Sequence, residues 1–441
     1  MNTAHDHTHD PSDRYARHRQ IQGLSQQALS DAHIIVLGAG ATGNELLKNL
    51  ALLGIGTVEV FDRDTIEGHN LTRSVLFRDT DIAASKVEVA AARARELDPN
   101  LTVIAHHGDL YETLTLDRIL AADCVIIGLD AMEPRLRVNQ LCLLAGVPLI
   151  NTAIDHRSVR VSWHPFHQPS SRPSHPEHPS QHDDHATPAS REEGRPESAA
   201  DSAVGISCFA CNLSPNVYDN LASRYSCGSL RKELATDGLI PTTIITSSIA
   251  ASMAVSLVVQ ALHDEAPKTS WVWNLDTKTG KVREYIGQKD TLCPYCFDPP
   301  SKRILIPWSN QSQSSIVALL DSNTLGQPAI PEPQKLRLAL LDPLIDTVTC
   351  PVCHGAEPSE RVHRTPSYQW TDRLMICPTC GNGAREVSRI TALTADDAAY
   401  FCEHPEQAPL VAFGTMTANT KPDERSETST LIIYRKATNH E

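Results

Sequence analysis

An apolar run, His33-Ile-Ile-Val-Leu37, meets Gly38-Ala-Gly40-Ala-Thr-Gly43 and continues as Asn44-Glu-Leu-Leu-Lys-Asn-Leu-Ala-Leu-Leu53 before Gly54. The first stretch has the β-branched density of a buried strand. The last has the periodicity of an amphipathic helix closed by a glycine. Glycines between a strand and a helix permit a tight turn and close backbone approach, and the helix N-terminus then faces an anion. Few folds start this way, and all of them build a parallel sheet with crossover helices.

The pattern continues. Thr57–Asp64 reads as a second strand and Ser85–Leu97 as a second helix. The runs TVIAHHGDL and DCVIIGLD read as strands, RLRVNQLCLLAG as a helix and PLINTAI as a further strand. Strands separated by helices of this length predict an α/β fold, a Rossmann-like, doubly wound, mostly parallel sheet. The 441 residues are enough for two or three domains. Residues 164–203 are rich in Pro, Ser, His and acid and read as a disordered surface insert. A long buried helix is expected after Pro241, then two strands around Thr279-Gly280. From about residue 301 to 441 the chain reads as linker and short strands around a second cysteine set.

Asp62 ends the second strand 19 residues beyond Gly43, where an acid grips ribose hydroxyls. Up to this point a nicotinamide-dependent oxidoreductase fits equally well. Asp64, Asn70, Arg73, Lys86 and Asp130 change the balance, because hydride transfer has no use for them. Attack of a carboxylate on the α-phosphorus of ATP does. Arg73 and Lys86 suit phosphate oxygens, Asp130 suits Mg²⁺, and Asn70 suits a neutral hydrogen bond.

With these residues in place the chain resembles the ThiF/MoeB/HesA adenylyltransferases and the adenylation domains of ubiquitin-activating enzymes, in a texture most like bacterial members of ubiquitin-like conjugation systems. The resemblance runs from Arg14 to Cys296. It rests on Arg14-Tyr15-Ala16-Arg17-His18, Asp62-Arg63-Asp64, Asn70-Leu71-Thr72-Arg73, Lys86 and Leu97-Asp98-Pro99-Asn100. It implies that Gly38, Gly40, Gly43, Asp62, Asp64, Asn70, Arg73, Lys86 and Asp130 hold ATP and Mg²⁺. It also implies that Arg17 reaches the ATP site of a partner subunit, hence a homodimer. The chain departs from the family at Ala41, where a second glycine is usual, and at Ala131, where an asparagine is usual. The implied division is 1–163 for the nucleotide-binding part of an adenylation domain, then the 164–203 insert. The crossover, long helix and zinc-clamped end follow at 204–300, and a linker with a C-terminal zinc-ribbon domain at 301–441.

Eight of the twelve cysteines form four C-x-x-C pairs. Cys208/Cys211 and Cys293/Cys296 are 81 residues apart, and Cys350/Cys353 and Cys377/Cys380 are 23 apart. Such pairs present four thiolates tetrahedrally, so two structural Zn²⁺ sites are expected; turns with free thiols are the alternative. Cys124 and Cys142 lie in apolar runs and read as inert. Cys227, in Ser223-Arg-Tyr-Ser-Cys-Gly-Ser-Leu-Arg-Lys232, has cations nearby that favour a thiolate. It reads either as a thioester nucleophile or as a chance surface cysteine.

The formal charge of −14 weighs against a nucleic-acid partner, including adenylation of tRNA. No unbroken apolar run of membrane length and no secretory leader is visible, which predicts a cytoplasmic protein with no membrane partner. The resemblance implies a ubiquitin-like protein as substrate and a conjugating enzyme as acceptor. Sulfur-carrier activation for molybdopterin or thiamine synthesis is the alternative. A scaffold without catalysis is at odds with Arg73, Lys86 and Asp130.

Overall fold

The computed structural model describes residues 13–166, 206–213 and 241–293 without a break, 295–296, and shorter stretches between 302 and 434. The main sheet has eight strands: β1 (His33–Leu37), β2 (Thr57–Asp62), β3 (Thr102–His107), β4 (Cys124–Ile127), β5 (Leu149–Ile154), β6 (Ser158–His164), β7 (Trp271–Asp276) and β8 (Lys281–Ile286). Their order is β3-β2-β1-β4-β5-β6-β7-β8. The five strands from β3 to β5 pair in parallel, and β6, β7 and β8 add to β5 antiparallel. This is the expected doubly wound, mostly parallel sheet.

The helices are α1 (Gln26–Ser30), α2 (Ala41–Leu53), α3 (Lys86–Leu97), α4 (Leu110–Thr113), α5 (Leu116–Ala121), α6 (Met132–Ala145) and α7 (Ile244–Leu262). They cover both faces. Leu46, Leu47 and Leu50 of α2, Val87 and Ala91 of α3 and Ala250, Ala254 and Val258 of α7 bury one face of β1, β2 and β6. The other face packs on α5 and α6 through Ile35, Leu37, Val125 and Ile127. Helix α7 is by length and hydropathy apolar enough to cross a membrane. The expectation that no such segment exists counted unbroken runs, which its serines and threonines interrupt. Here α7 lies against α2, β5 and β6.

Strand β6 is an addition to the sequence reading, which leaves 155–163 without an element. The turn that creates it is closed by Asp155, whose Oδ1 accepts the amides of Arg157 and Ser158 at 2.8 and 2.7 Å. Residues 164–166 also differ from expectation. His164 belongs to β6, and Phe166, stacked on it, is fully buried in the same core as Phe209, so the polar segment starts after them.

The second sheet is six-stranded: β9 (Lys302–Pro307), β10 (Leu338–Thr349), β11 (Ala356–Glu357), β12 (Glu386–Leu393), β13 (Val411–Thr417) and β14 (Thr428–Tyr434). Helix α8 (Ala395–Glu403) contributes Phe401 and Cys402 to its core with Trp308, Leu344 and Ile433. Val411 and Ile432 belong instead to the core under α5 and α6, so the two sheets share apolar packing.

Candidate nucleotide site and cysteine clusters

In an open α/β sheet a ligand sits outside the carboxyl ends of the strands where the strand order reverses. That point falls between β1 and β4. The glycine loop follows β1, Asp62 ends β2, and Gly128-Leu129-Asp130 follows β4.

Each glycine of the loop has its own reason. Gly38 has φ +94° and packs on the next loop: a Cβ there would lie 2.8 Å from the Gly128 carbonyl oxygen. Gly43 presses against the Gly38 carbonyl so closely that no Cβ fits. Gly40 caps α2 and has open space where a Cβ would go. Two glycines serve packing, and Gly40 leaves the cradle in front of the helix N-terminus free for phosphate.

Asp62 braces the loop. Its Oδ2 accepts the Ala39 amide at 2.8 Å and its Oδ1 the Asp64 amide at 2.9 Å. Burial raises its pKa against those hydrogen bonds and the charge of Lys86. Lys86, the first residue of α3, holds its ammonium 2.9 Å from the exposed Asp64 carboxylate. Arg73 donates to the His69 carbonyl at 2.6 Å. Asn70 is buried in a capping turn, where its Oδ1 accepts the Glu67 amide at 2.9 Å and its Nδ2 has no partner among the described residues. Asp130 is exposed, with no hydrogen bond or ion pair among the described residues, and a free carboxylate of this kind suits a hard divalent cation. Arg17 is exposed on the N-terminal segment. That segment is fastened to the buried Asp98 by Arg14 at 2.9 Å and by the Tyr15 hydroxyl, so two sequence motifs meet in space.

Three polar residues of the framework carry no sequence signal of their own, and the reading of motifs passes over them. Asn44, fully buried on α2, donates to the carbonyls of Ala39 and Gly40 at 2.7 and 3.0 Å and accepts the Leu76 amide at 2.9 Å. It ties the glycine loop to the segment that follows Arg73. Arg135 and Asn139 are buried on α6.

The cysteines assemble in two groups. Cys208, Cys211 and Cys293 place their sulfurs within 4.8 Å of one another, with Cys208 Sγ 3.7 Å from Cys211 and 3.9 Å from Cys293. Cys296 interacts with both Cys208 and Cys211. Hydrogen bonding with Cys208, Cys293 and Cys296 holds the Cys211 pKa far below its ordinary value. Asn139 Oδ1 accepts the Phe209 amide at 2.8 Å and fixes this knuckle to α6. Cys350, Cys353, Cys377 and Cys380 form the second group, with sulfur pairs at 3.5 and 3.6 Å. Four thiolates about 2.3 Å from a tetrahedral zinc ion lie about 3.8 Å apart, so both groups fit it. Cys124 and Cys142 are buried, and burial pushes both thiols up. Cys227 lies outside the described residues.

The match to the ThiF family model spans residues 13–295. The chain is similar to the NEDD8-activating enzyme E1 catalytic subunit of Caenorhabditis elegans, 42% identical over 134 residues, covering 29% of this chain and 31% of that protein. It is also similar to the SAMP-activating enzyme E1 of Haloferax volcanii, 32% identical over 145 residues, covering 32% of this chain and 54% of that protein. The matched part is thus about a third to a half of those relatives. Among solved structures, Escherichia coli MccB, crystallised with ATP, aligns at 20% identity and a TM-score of 0.47, covering 66% of this chain and 75% of MccB. The glycine loop, the Asp62 brace and Cys208, Cys211 and Cys293 of the first cysteine group all fall within the family match, and the chain belongs to the ThiF family.

Proposed function

We propose that this protein uses ATP to adenylate the C-terminal glycine carboxylate of a ubiquitin-like protein. The observation that carries this reading is one juxtaposition: an open cradle at Gly40 in front of α2, at the switch point where Asp62, Lys86 and the Asp130 loop also end.

In the first step a carboxylate oxygen attacks the α-phosphorus, the bond to the bridging β-phosphate oxygen breaks, and pyrophosphate leaves. The Gly38–Gly43 backbone and the α2 N-terminus bind phosphate oxygens. Lys86 and Arg73 exchange their present partners, Asp64 and the His69 carbonyl, for phosphate as charge develops there. Asp62 and Asp64 orient the ribose side of the nucleotide, and the Asn70 amide donates a neutral hydrogen bond. Asp130 would hold Mg²⁺, which neutralises phosphate charge when bound. Arg17 reaches the same site from a second copy in a homodimer.

In the second step the Cys227 thiolate attacks the acyl carbon, AMP leaves, and the modifier is held as a thioester for a conjugating enzyme. The two cysteine groups hold structural Zn²⁺, the first clamping the crossover to the end of the main sheet. The division into 1–163, 164–203, 204–300 and 301–441 and a cytoplasmic location complete the reading.

The test is ATP–pyrophosphate exchange with candidate small proteins ending in glycine, followed by intact mass spectrometry with and without reductant. A reducible adduct that disappears in Cys227→Ala establishes the thioester. An adduct indifferent to that change removes Cys227 from the chemistry, and a thiocarboxylate on the released protein identifies sulfur-carrier activation instead. No exchange with any carrier sinks the adenylation reading.

A further inference from the structure

Arg135 is the fourth residue of α6 and only 7% exposed. A cation there is doubly unfavourable, being desolvated and near the positive end of a helix dipole. Burial lowers its pKa to about 10, opposed by the nearby charge of Asp130. An apolar side chain would fill the space at less cost, so the guanidinium has another use.

Its donors show which. It donates to Asn151 Oδ1 at 2.5 Å, to the Thr152 carbonyl at 2.8 Å and to the Leu129 carbonyl. Asn151 and Thr152 lie on β5, a rigid central strand whose Thr152 hydroxyl itself donates to the Ile127 carbonyl at 2.7 Å. Leu129 is the residue before Asp130, so a fixed Leu129 carbonyl fixes the peptide plane from which Asp130 departs. On its other side the same loop is pressed by Gly38 against Gly128. The Asp130 backbone is therefore gripped between the glycine loop and β5, with Arg135 as the grip.

We propose that Arg135 is a positioning residue that holds Asp130 at the distance from the glycine loop needed for the divalent-cation complex of a nucleotide. The proposal rests on the reading of this site as one for Mg²⁺ and ATP. Arg135 touches neither; it acts through the Leu129–Asp130 peptide. Lysine is no substitute, because one ammonium cannot span three separated acceptors.

The test uses the full chain with ATP as the probe and no carrier protein. Calorimetry measures ATP affinity with Mg²⁺ and with EDTA in the wild type, Arg135→Met, Arg135→Lys, Asp130→Asn and the Asp130→Asn/Arg135→Met double variant. Arg135→Met is expected to lose roughly ten- to a hundred-fold of the Mg²⁺-dependent gain in affinity, the range for residues that orient a metal ligand. Its metal-free affinity stays at the wild-type value. The double variant is expected to match Asp130→Asn alone, since the two residues act on one contact. Retention of the Mg²⁺ gain by Arg135→Met overturns the proposal, as do losses that simply add. If Arg135→Met fails to fold by near-ultraviolet circular dichroism, Arg135→Lys decides. A selective loss there supports the proposal, and a full Mg²⁺ gain overturns it. A wild type whose ATP affinity is indifferent to Mg²⁺ also overturns it. A protein that gains affinity with Mg²⁺ yet exchanges no pyrophosphate contradicts the adenylation reading alone.

Discussion

Asn44 Oδ1 accepts the amide hydrogen of Leu76 at 2.9 Å, joining two buried segments 32 positions apart in sequence. The same side chain donates to the Ala39 and Gly40 carbonyls, so the glycine loop and the segment after Arg73 share one support. Asn44→Ala leaves the buried Leu76 amide without its acceptor and is expected to cost about 1–3 kcal/mol of stability by urea denaturation. ATP affinity should fall at the same time. Asn44→Asp keeps the acceptor but loses the donors, so it should weaken ATP binding while retaining part of the Leu76 contact.

The three loop glycines should separate folding from binding. Gly43→Ala forces its Cβ into the Gly38 carbonyl, and Gly38→Ala combines a 2.8 Å clash with a positive φ. Both should lower the melting temperature, Gly38→Ala through backbone strain of about 1–3 kcal/mol and Gly43→Ala through overpacking of about 1–3 kcal/mol. Gly40→Val has room for its side chain and should melt near the wild type, yet block the cradle and abolish ATP binding. Equal melting losses for all three variants would contradict this division.

Zinc content is expected to be two ions per chain by elemental analysis, one for each cysteine group. Cys208→Ser and Cys350→Ser should each remove one. The first should also weaken ATP binding, because the Phe209 amide of that knuckle is held by Asn139 on α6, the helix that carries Arg135. The second group follows the end of β10 and none of its cysteines packs in the core that contains α6, so its loss should leave ATP affinity unchanged.

Stability should fall in acid through one buried carboxylate. Glu59, on β2, takes His33 at 3.0 Å, His106 at 2.6 Å and Arg118 at 2.8 Å. Burial pushes its pKa up, but the hydrogen bond with His106, the adjacent His33 imidazole and the Arg118 charge outweigh it and hold it well below the carboxylate range. A depressed folded-state pKa contributes stability above the unfolded value that is lost as pH falls toward the folded one. Denaturation midpoints should therefore drop as pH falls below about 4.5. Glu59→Gln should lose about 3 kcal/mol at neutral pH, by leaving Arg118 without its carboxylate, and flatten that acid limb.

Much of this was legible in the one-dimensional pattern. Strand-and-helix alternation is local and repeats from residue 33 to 154, so β1 to β5 and the helices α2, α3 and α6 could be placed directly, whereas the short α4 and α5 between β3 and β4 could not. The cysteine pairs were legible because metal chemistry demands short fixed spacing. Strand β6 was not, since its antiparallel return depends on a turn closed by Asp155 and on a neighbour, β7, more than a hundred residues later. His164 and Phe166 looked like the start of a polar segment and became core for the same reason, their partners Ser207 and Phe209 being remote.

The sequence alone offered residue types that suit phosphate and metal, because residue type and spacing are chemical constraints. It determined the fold class for the same reason, through the periodicity of burial. Only the tertiary structure decided which polar residues hold that site in place. Asn44 stands beside Glu45, and Arg135 between Glu133 and Arg137, and nothing local distinguishes a buried polar brace from a surface residue. Their meaning comes from acceptors on other strands and loops, at Leu76, Leu129 and Thr152, which the fold alone brings within hydrogen-bond reach.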